Sequence, residues 1–177
     1  MTRLLEAANR GDKQAAAELL PLVYTELRRL AASQMAHEKP GHTLDATALV
    51  HEAYIRLVGD RQFEGRGHFL AAAAEAMRRI LVEVARKKLA DKRGGGGKRF
   101  EVDEGDRVVI PDPDTLLAVD EALAKLEAED AASANVARLR LFAGLSVDDA
   151  AEALGVSRAT AFRDWAYARA WLTTALK

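Results

Sequence analysis

Arg158, Ala159, Thr160 and Arg163 follow the turn Gly155-Val156-Ser157 and form the first candidate functional group of the chain. Their chemistry is recognition, because guanidinium and hydroxyl groups on the first turns of a helix suit base edges and phosphates in a duplex groove. Ser157, the residue that would cap this helix, belongs to the same set. No carboxylate pair or nucleophile stands out. His51-Glu52 does not begin a zinc-protease motif, since position 55 is Ile where a second His is needed. His37, His42, His51 and His68 lack ligand spacing, so no metal or other cofactor is expected. Gly97-Lys98 follows helical pattern instead of a strand, which argues against a phosphate loop.

The reading residues need a rigid mount, and the preceding stretch supplies one. Ser146 can cap a helix whose inner face is Val147, Ala150, Ala151 and Leu154, and the small alanines permit close helix approach. Gly155 suits the left-handed conformation that ends this helix, while Val156 is expected to plug the gap before the next one. Ala161, Trp165 and Ala168 recur at helical spacing and should face inward. A plain helical hairpin with a glycine stop is the bland alternative. The helix-turn-helix reading satisfies several separate demands at once.

A second candidate surface lies upstream. Residues 59–68 form a polar loop with Phe63, Arg61, Arg66 and His68, groups that can stack on unpaired bases or grip phosphates. From Phe69 to about Lys92 there is no Gly or Pro, and Phe69, Ala73, Met77, Ile80, Leu81 and Val84 fall on one arc. The opposite arc carries Arg79, Arg86 and Arg93, with Arg78 and Lys87 beside them. Such a run is often only a solvated face; the adjoining loop is what favours nucleic acid.

Composition limits the rest. The 177 residues include no Cys, which removes disulfides and thiolate chemistry and suits a reducing cytoplasm. No apolar run reaches membrane-spanning length, and the N-terminus lacks a secretory layout. The net charge of −1 hides a strong separation: residues 61–99 hold eleven basic side chains against four acidic, and residues 100–130 hold two against eleven. We expect the acidic segment to mask the basic one in the free protein, through an attraction that salt weakens.

Strand signals are nearly absent, so the chain reads as all-α. Helices are expected from about Thr2 to Asn9, from Asp12 to about Ala36 with Leu19, Leu20, Val23, Leu27 and Leu30 inward, and from Thr43 or Asp45 to about Val58. Pro21 should kink or split the second near Glu18. Lys39-Pro40-Gly41 is a turn, and Leu49, Ala53, Tyr54 and Leu57 should face the core. Gly94 to Gly97 should end the long helix and open a flexible acidic connection containing Pro111 and Pro113. Helices from about Thr115 to Glu127 and Ala131 to Ala143 precede the helix-turn-helix.

Four segments, at 20–32, 40–57, 68–82 and 163–172, resemble bacterial RNA polymerase sigma factors of the extracytoplasmic-function (ECF) group. The resemblance runs in order over nearly the whole chain. It implies a σ2 domain at 1–95, a linker at 96–115 and a σ4 helix-turn-helix domain at 116–177. It further implies that Leu49, Val50, His51, Glu52, Ile55 and Arg56 grip the β′ clamp helices of core RNA polymerase, with the β flap as a second contact. The loop at 61–68 and the next helix would read and melt the −10 element, and the C-terminal helix-turn-helix would read the −35 element. Members of this group are often restrained by an anti-sigma protein. Ala161 replaces the larger aliphatic residue usual in the group, and the melting loop has few aromatics. The rival reading is a stand-alone helix-turn-helix regulator binding duplex operator as a dimer; a protein-binding adaptor is a third. A simple repressor has no need of the 44–58 helix together with the basic loop and helix, whereas the adaptor would use its basic face for an acidic partner.

Overall fold

The computed structural model describes residues 2–35, 46–57, 63, 65–91, 101–102, 108–109 and 112–176. The Lys39-Pro40-Gly41 turn, Thr43, Asp45, Arg61, Arg93, Gly94 to Gly97 and Pro111 lie outside the described residues. The elements run α1 (Thr2–Asn9), α2 (Lys13–Met35), α3 (Ala46–Leu57), α4 (Arg66–Asp91), β1 (Glu101–Val102), β2 (Val108–Val109), α5 (Pro113–Glu129), α6 (Ala131–Ala143), α7 (Val147–Leu154) and α8 (Arg158–Ala175). The class is all-α. Strands β1 and β2 pair antiparallel over two residues each, inside the segment expected to be an irregular connection.

Local chemistry explains most boundaries. Gly11 takes a φ of 89° after α1, and the Asp12 carboxylate accepts the backbone N–H groups of Gln14 and Ala15 at 2.9 and 3.1 Å, starting α2. Of the two outcomes expected at Pro21, the split does not occur: α2 is continuous from Lys13 to Met35. The carbonyl deprived of its partner by Pro21 belongs to Ala17, on an exposed part of the helix, so the missing hydrogen bond carries no burial cost. On the same exposed side, Leu20 is 48% accessible and drops out of the predicted stripe, while Val23, Leu27 and Leu30 are buried. Helix α4 begins at Arg66, three residues before the expected start, which makes Arg66 and His68 helical rather than loop residues.

Asp112, Asp130, Ser146 and Ser157 cap the last four helices, each side chain accepting a backbone N–H three residues on. The Ser133 backbone N–H, and then its hydroxyl, hold the Asp130 carboxyl below the usual carboxylate range. A lowered folded value means that this cap contributes stability above the unfolded pKa and loses it as pH falls through the folded one. Asp130→Ala is expected to cost about 1 kcal/mol at neutral pH. Urea melts at neutral and acid pH should show the deficit shrinking once wild-type Asp130 is protonated.

Two apolar clusters form the interior. One gathers Val23, Leu27, Leu30, Leu49, Val50, Phe69, Met77 and Ile80 from the N-terminal helices, but also Leu139, Ala143, Leu145 and Ala150 from α6 and α7 and the loop between them. The other joins Val119, Leu123, Phe142, Val147, Ala161, Trp165 and Leu172 within the C-terminal helices. Leu81 and Leu154 pack against both. Helix α4 therefore serves as a common wall, touching α3 on one side and α5, α6 and α7 on the other.

Candidate nucleic-acid interface

The C-terminal pair has the expected geometry. Ser146 and Ser157 cap α7 and α8, and Gly155 adopts φ 66° between them, a conformation that a side chain at that position would strain. Val147, Ala150, Ala151, Ala161, Trp165 and Ala168 are buried, so the two helices meet through small residues and one indole. Val156 does not plug the joint: it is 39% accessible and belongs to neither apolar cluster, which Leu154 and Trp165 join in its place. Arg158 and Arg163 project outward with 72% and 76% of their side chains accessible. Ser157 and Ala159 are exposed and Thr160 is half-buried. The buried Asp164 carboxylate holds Arg163 at 3.1 Å, and Arg158 pairs with Asp148 at 2.7 Å.

Phe162 joins this surface although sequence pattern did not single it out. It is 43% accessible, with the Arg158 guanidinium 5.3 Å from its ring centre. The available signal was positional, since Phe162 falls outside the inward set of Ala161, Trp165 and Ala168. At the far end, Glu129 accepts hydrogen bonds from the Tyr167 hydroxyl at 2.7 Å and the Trp171 indole N–H at 3.1 Å, tying α8 to the end of α5.

The N-terminal surface differs more from expectation. Phe63 is buried, in edge contact with His68 and Phe69 at 5.7 and 5.5 Å, and Asn9 donates to its carbonyl at 2.7 Å. Its ring thus props the start of α4 instead of offering a stacking face. Arg66 is engaged by Glu26, Asp149 and Glu152, with the first two at 3.2 and 3.3 Å. Arg78 pairs with Glu75 and with Asp120 of α5. Arg79 pairs with Glu75 at 2.7 Å but stays largely accessible, while His68, Arg86 and Lys87 are exposed. The accessible basic face is therefore Arg79, Arg86 and Lys87.

Ion pairs do join the basic and acidic parts of the chain, but none of the carboxylates found in them belongs to the linker at 96–115. Of the three that meet Arg66 and Arg78 from the C-terminal half, Asp120 lies in the acidic segment, whereas Asp149 and Glu152 belong to α7. Burial pushes the Asp149 carboxyl up, yet the Ser146 hydroxyl and Arg66 outweigh it, and the group is held below its ordinary value.

On α3, Leu49 and Val50 are fully buried and cannot touch a partner. They anchor the helix, because Ala53 and Leu57, one and two turns on, share their inward face. His51 and Ile55 are exposed, Ile55 at 73%, with Glu52 and Arg56 half-buried at the margin. The Tyr24 hydroxyl lies 3.4 Å from His51 Nε2. Arg56 bridges Glu52 and Glu83 at 2.7 and 2.8 Å, which locks α3 to α4 beside that patch.

Among the described residues no group of acidic or histidine side chains could hold a metal ion, and no helix is long and apolar enough to cross a membrane. A family model described as ECF sigma factor matches residues 1–177. No curated protein and no solved structure gives a match.

Proposed function

Because this chain belongs to the ECF sigma factor family, we propose that its two halves divide promoter selection between a single-strand surface on α4 and a duplex reader on α8. As a member of that family it binds core RNA polymerase and promoter DNA and directs transcription initiation. The family is not an enzyme family, and we assign the protein no chemistry of its own. The observation that carries the division of labour is the pairing of an accessible basic face (Arg79, Arg86, Lys87) with a separate, capped helix presenting Arg158, Phe162 and Arg163.

In this reading the N-terminal half, residues 1–95, docks on the β′ clamp helices through His51, Glu52, Ile55 and Arg56. The basic α4 face then follows the phosphates of the opened downstream strand, and flipping a base out of the stack costs a few kcal/mol that these contacts offset. Residues 116–177, resting on the β flap, place the α8 N-terminus in the major groove upstream. Arg163 and Arg158 suit guanine edges or phosphates, and the Phe162 ring suits a thymine methyl. An anti-sigma protein is a further partner under this proposal.

Core polymerase with this protein should initiate from a specific promoter, and core polymerase alone should not; absence of initiation from any template would overturn the assignment. Arg163→Ala is expected to weaken upstream-element binding by about 1–3 kcal/mol and to relax preference at one base position. Competition binding across promoter variants measures this, and an unaltered profile would remove Arg163 from the reading set.

A further inference from the structure

Asp164 is the only buried charged side chain among the described residues, where Thr115 and Ser133 are the other buried polar ones. It lies on the inward face of α8 with Ala161, Trp165 and Ala168, a row that packing alone would fill with apolar residues. Its Oδ1 accepts from Nε of Arg163 at 3.2 Å and from Nη2 of Arg163 at 3.1 Å. The Asp164 side chain is 8% accessible and that of Arg163 76%. One edge of the guanidinium plane is thus tied to the protein interior, and the end-on edge formed by Nη1 and Nη2 is left for a ligand. The Arg163 charge also reaches Asp130, but both oxygens of that carboxylate already accept from Ser133, at 3.0 and 2.9 Å.

We infer that Asp164 is a positioning residue for base readout: its carboxylate presets the Arg163 guanidinium as a planar fork whose end-on edge matches two adjacent acceptors, the pattern that guanine O6 and N7 present in the major groove. This rests on the proposed role of α8 as duplex reader. A long arginine side chain loses rotamer freedom when it settles on a base, and a brace applied in the free protein removes part of that loss before DNA arrives. The brace also neutralises the guanidinium, which makes Arg163 a weaker partner for phosphates at unrelated sequences, where charge alone decides. The fold itself gains little from Asp164. A buried carboxylate carries a desolvation cost that leucine lacks, and its removal leaves the exposed Arg163 in water instead of stranding a buried charge.

The test uses the full chain with core RNA polymerase and a duplex pool randomised over the upstream element, comparing Asp164→Leu, Asp164→Asn and Arg163→Ala with wild type. Asp164→Leu is expected to lower discrimination at one base pair about tenfold, the scale of one bidentate contact. Binding to unrelated duplex should tighten at the same time, and the slope of log K against log salt should steepen by about one unit as the unbraced guanidinium turns to phosphate. A loss of specificity with a gain of unspecific affinity is a pair of signs that a loosened fold does not give. Asp164→Asn keeps an acceptor oxygen without the charge and should fall between wild type and Asp164→Leu. In an Arg163→Ala background, Asp164→Leu should change base preference no further. Thermal melts of the free Asp164→Leu chain should not move downward.

Full discrimination in Asp164→Leu, with Arg163→Ala relaxed at the same base pair, would overturn the brace and leave the α8 reading intact. A further loss of preference from Asp164→Leu in the Arg163→Ala background would overturn it too, because the carboxylate would then act by another route. A lower melting temperature in both Asp164 variants, with an equal loss on every sequence, would make the carboxylate a structural group and sink the inference. An unaltered profile in Arg163→Ala itself would remove the α8 reading and the brace together.

Discussion

Ile55→Asp is expected to abolish co-elution with core RNA polymerase while leaving the free protein folded. Ile55 is the most exposed large apolar side chain among the described residues, at 73%, and it sits between His51, Glu52 and Arg56 on the outer face of α3. A β-branched side chain so placed gains nothing within the monomer, whereas an apolar anchor at the centre of a protein interface is commonly worth about 2–4 kcal/mol. Aspartate there would remove the anchor and bury a charge beside Glu52. Transcription should fall in parallel, and thermal unfolding of the free protein should not move. Co-elution at wild-type strength would place the polymerase contact elsewhere, with the neighbouring half-exposed Leu20 and Leu22 of α2 as the next surface to vary.

Trp165→Ala should produce the largest loss of stability. The indole is 2% accessible, lies in the C-terminal core with Val147, Ala151, Ala161 and Phe142, and has the Arg140 guanidinium 4.9 Å from its ring centre. Truncating a buried aromatic side chain of this size typically costs about 3–5 kcal/mol, with the lost cation contact adding about 0.5–1 kcal/mol. Domains of this size have about 5–15 kcal/mol in total, so the variant should be close to unfolding. Urea denaturation measures the change, and hydrogen exchange should show α8 losing protection first. A cost under about 1 kcal/mol would mean that the α7 and α8 pair can collapse onto the vacated space.

Both predictions depend on which face of a helix a residue occupies, and that is where sequence and tertiary structure divided the work. The C-terminal half was legible almost residue by residue. Ser146, Gly155 and Ser157 act on backbone groups within a few positions of themselves, so their effect on α7 and α8 is local. Ala161, Trp165 and Ala168 follow a period that any packed helix must obey. Their outward neighbours Arg158 and Arg163 followed by subtraction.

The N-terminal surface was less legible, because its residues are decided by distant partners. Nothing near Phe63 in sequence tells that Asn9 holds its carbonyl, 54 residues away, or that Phe69 closes over its ring. Leu49 and Val50 adjoin the exposed His51 and differ from it only in where α2 and α4 pass. Charge separation along the chain announced an internal attraction, but an acidic residue's sequence position carries no information on which arginine it will meet. Asp149 and Glu152 reach Arg66 across more than 80 residues.

The all-α class, the serine caps of the helix-turn-helix and the family could be read from residue order alone. These follow from backbone hydrogen bonding and helical periodicity, which act over a few residues. That Leu49, Val50 and Phe63 are core, that Ile55 is exposed, and that α7 closes on Gly67 became visible only in the folded chain. Burial and ion pairing are properties of neighbours in space, and the neighbours at these positions come from the other end of the chain.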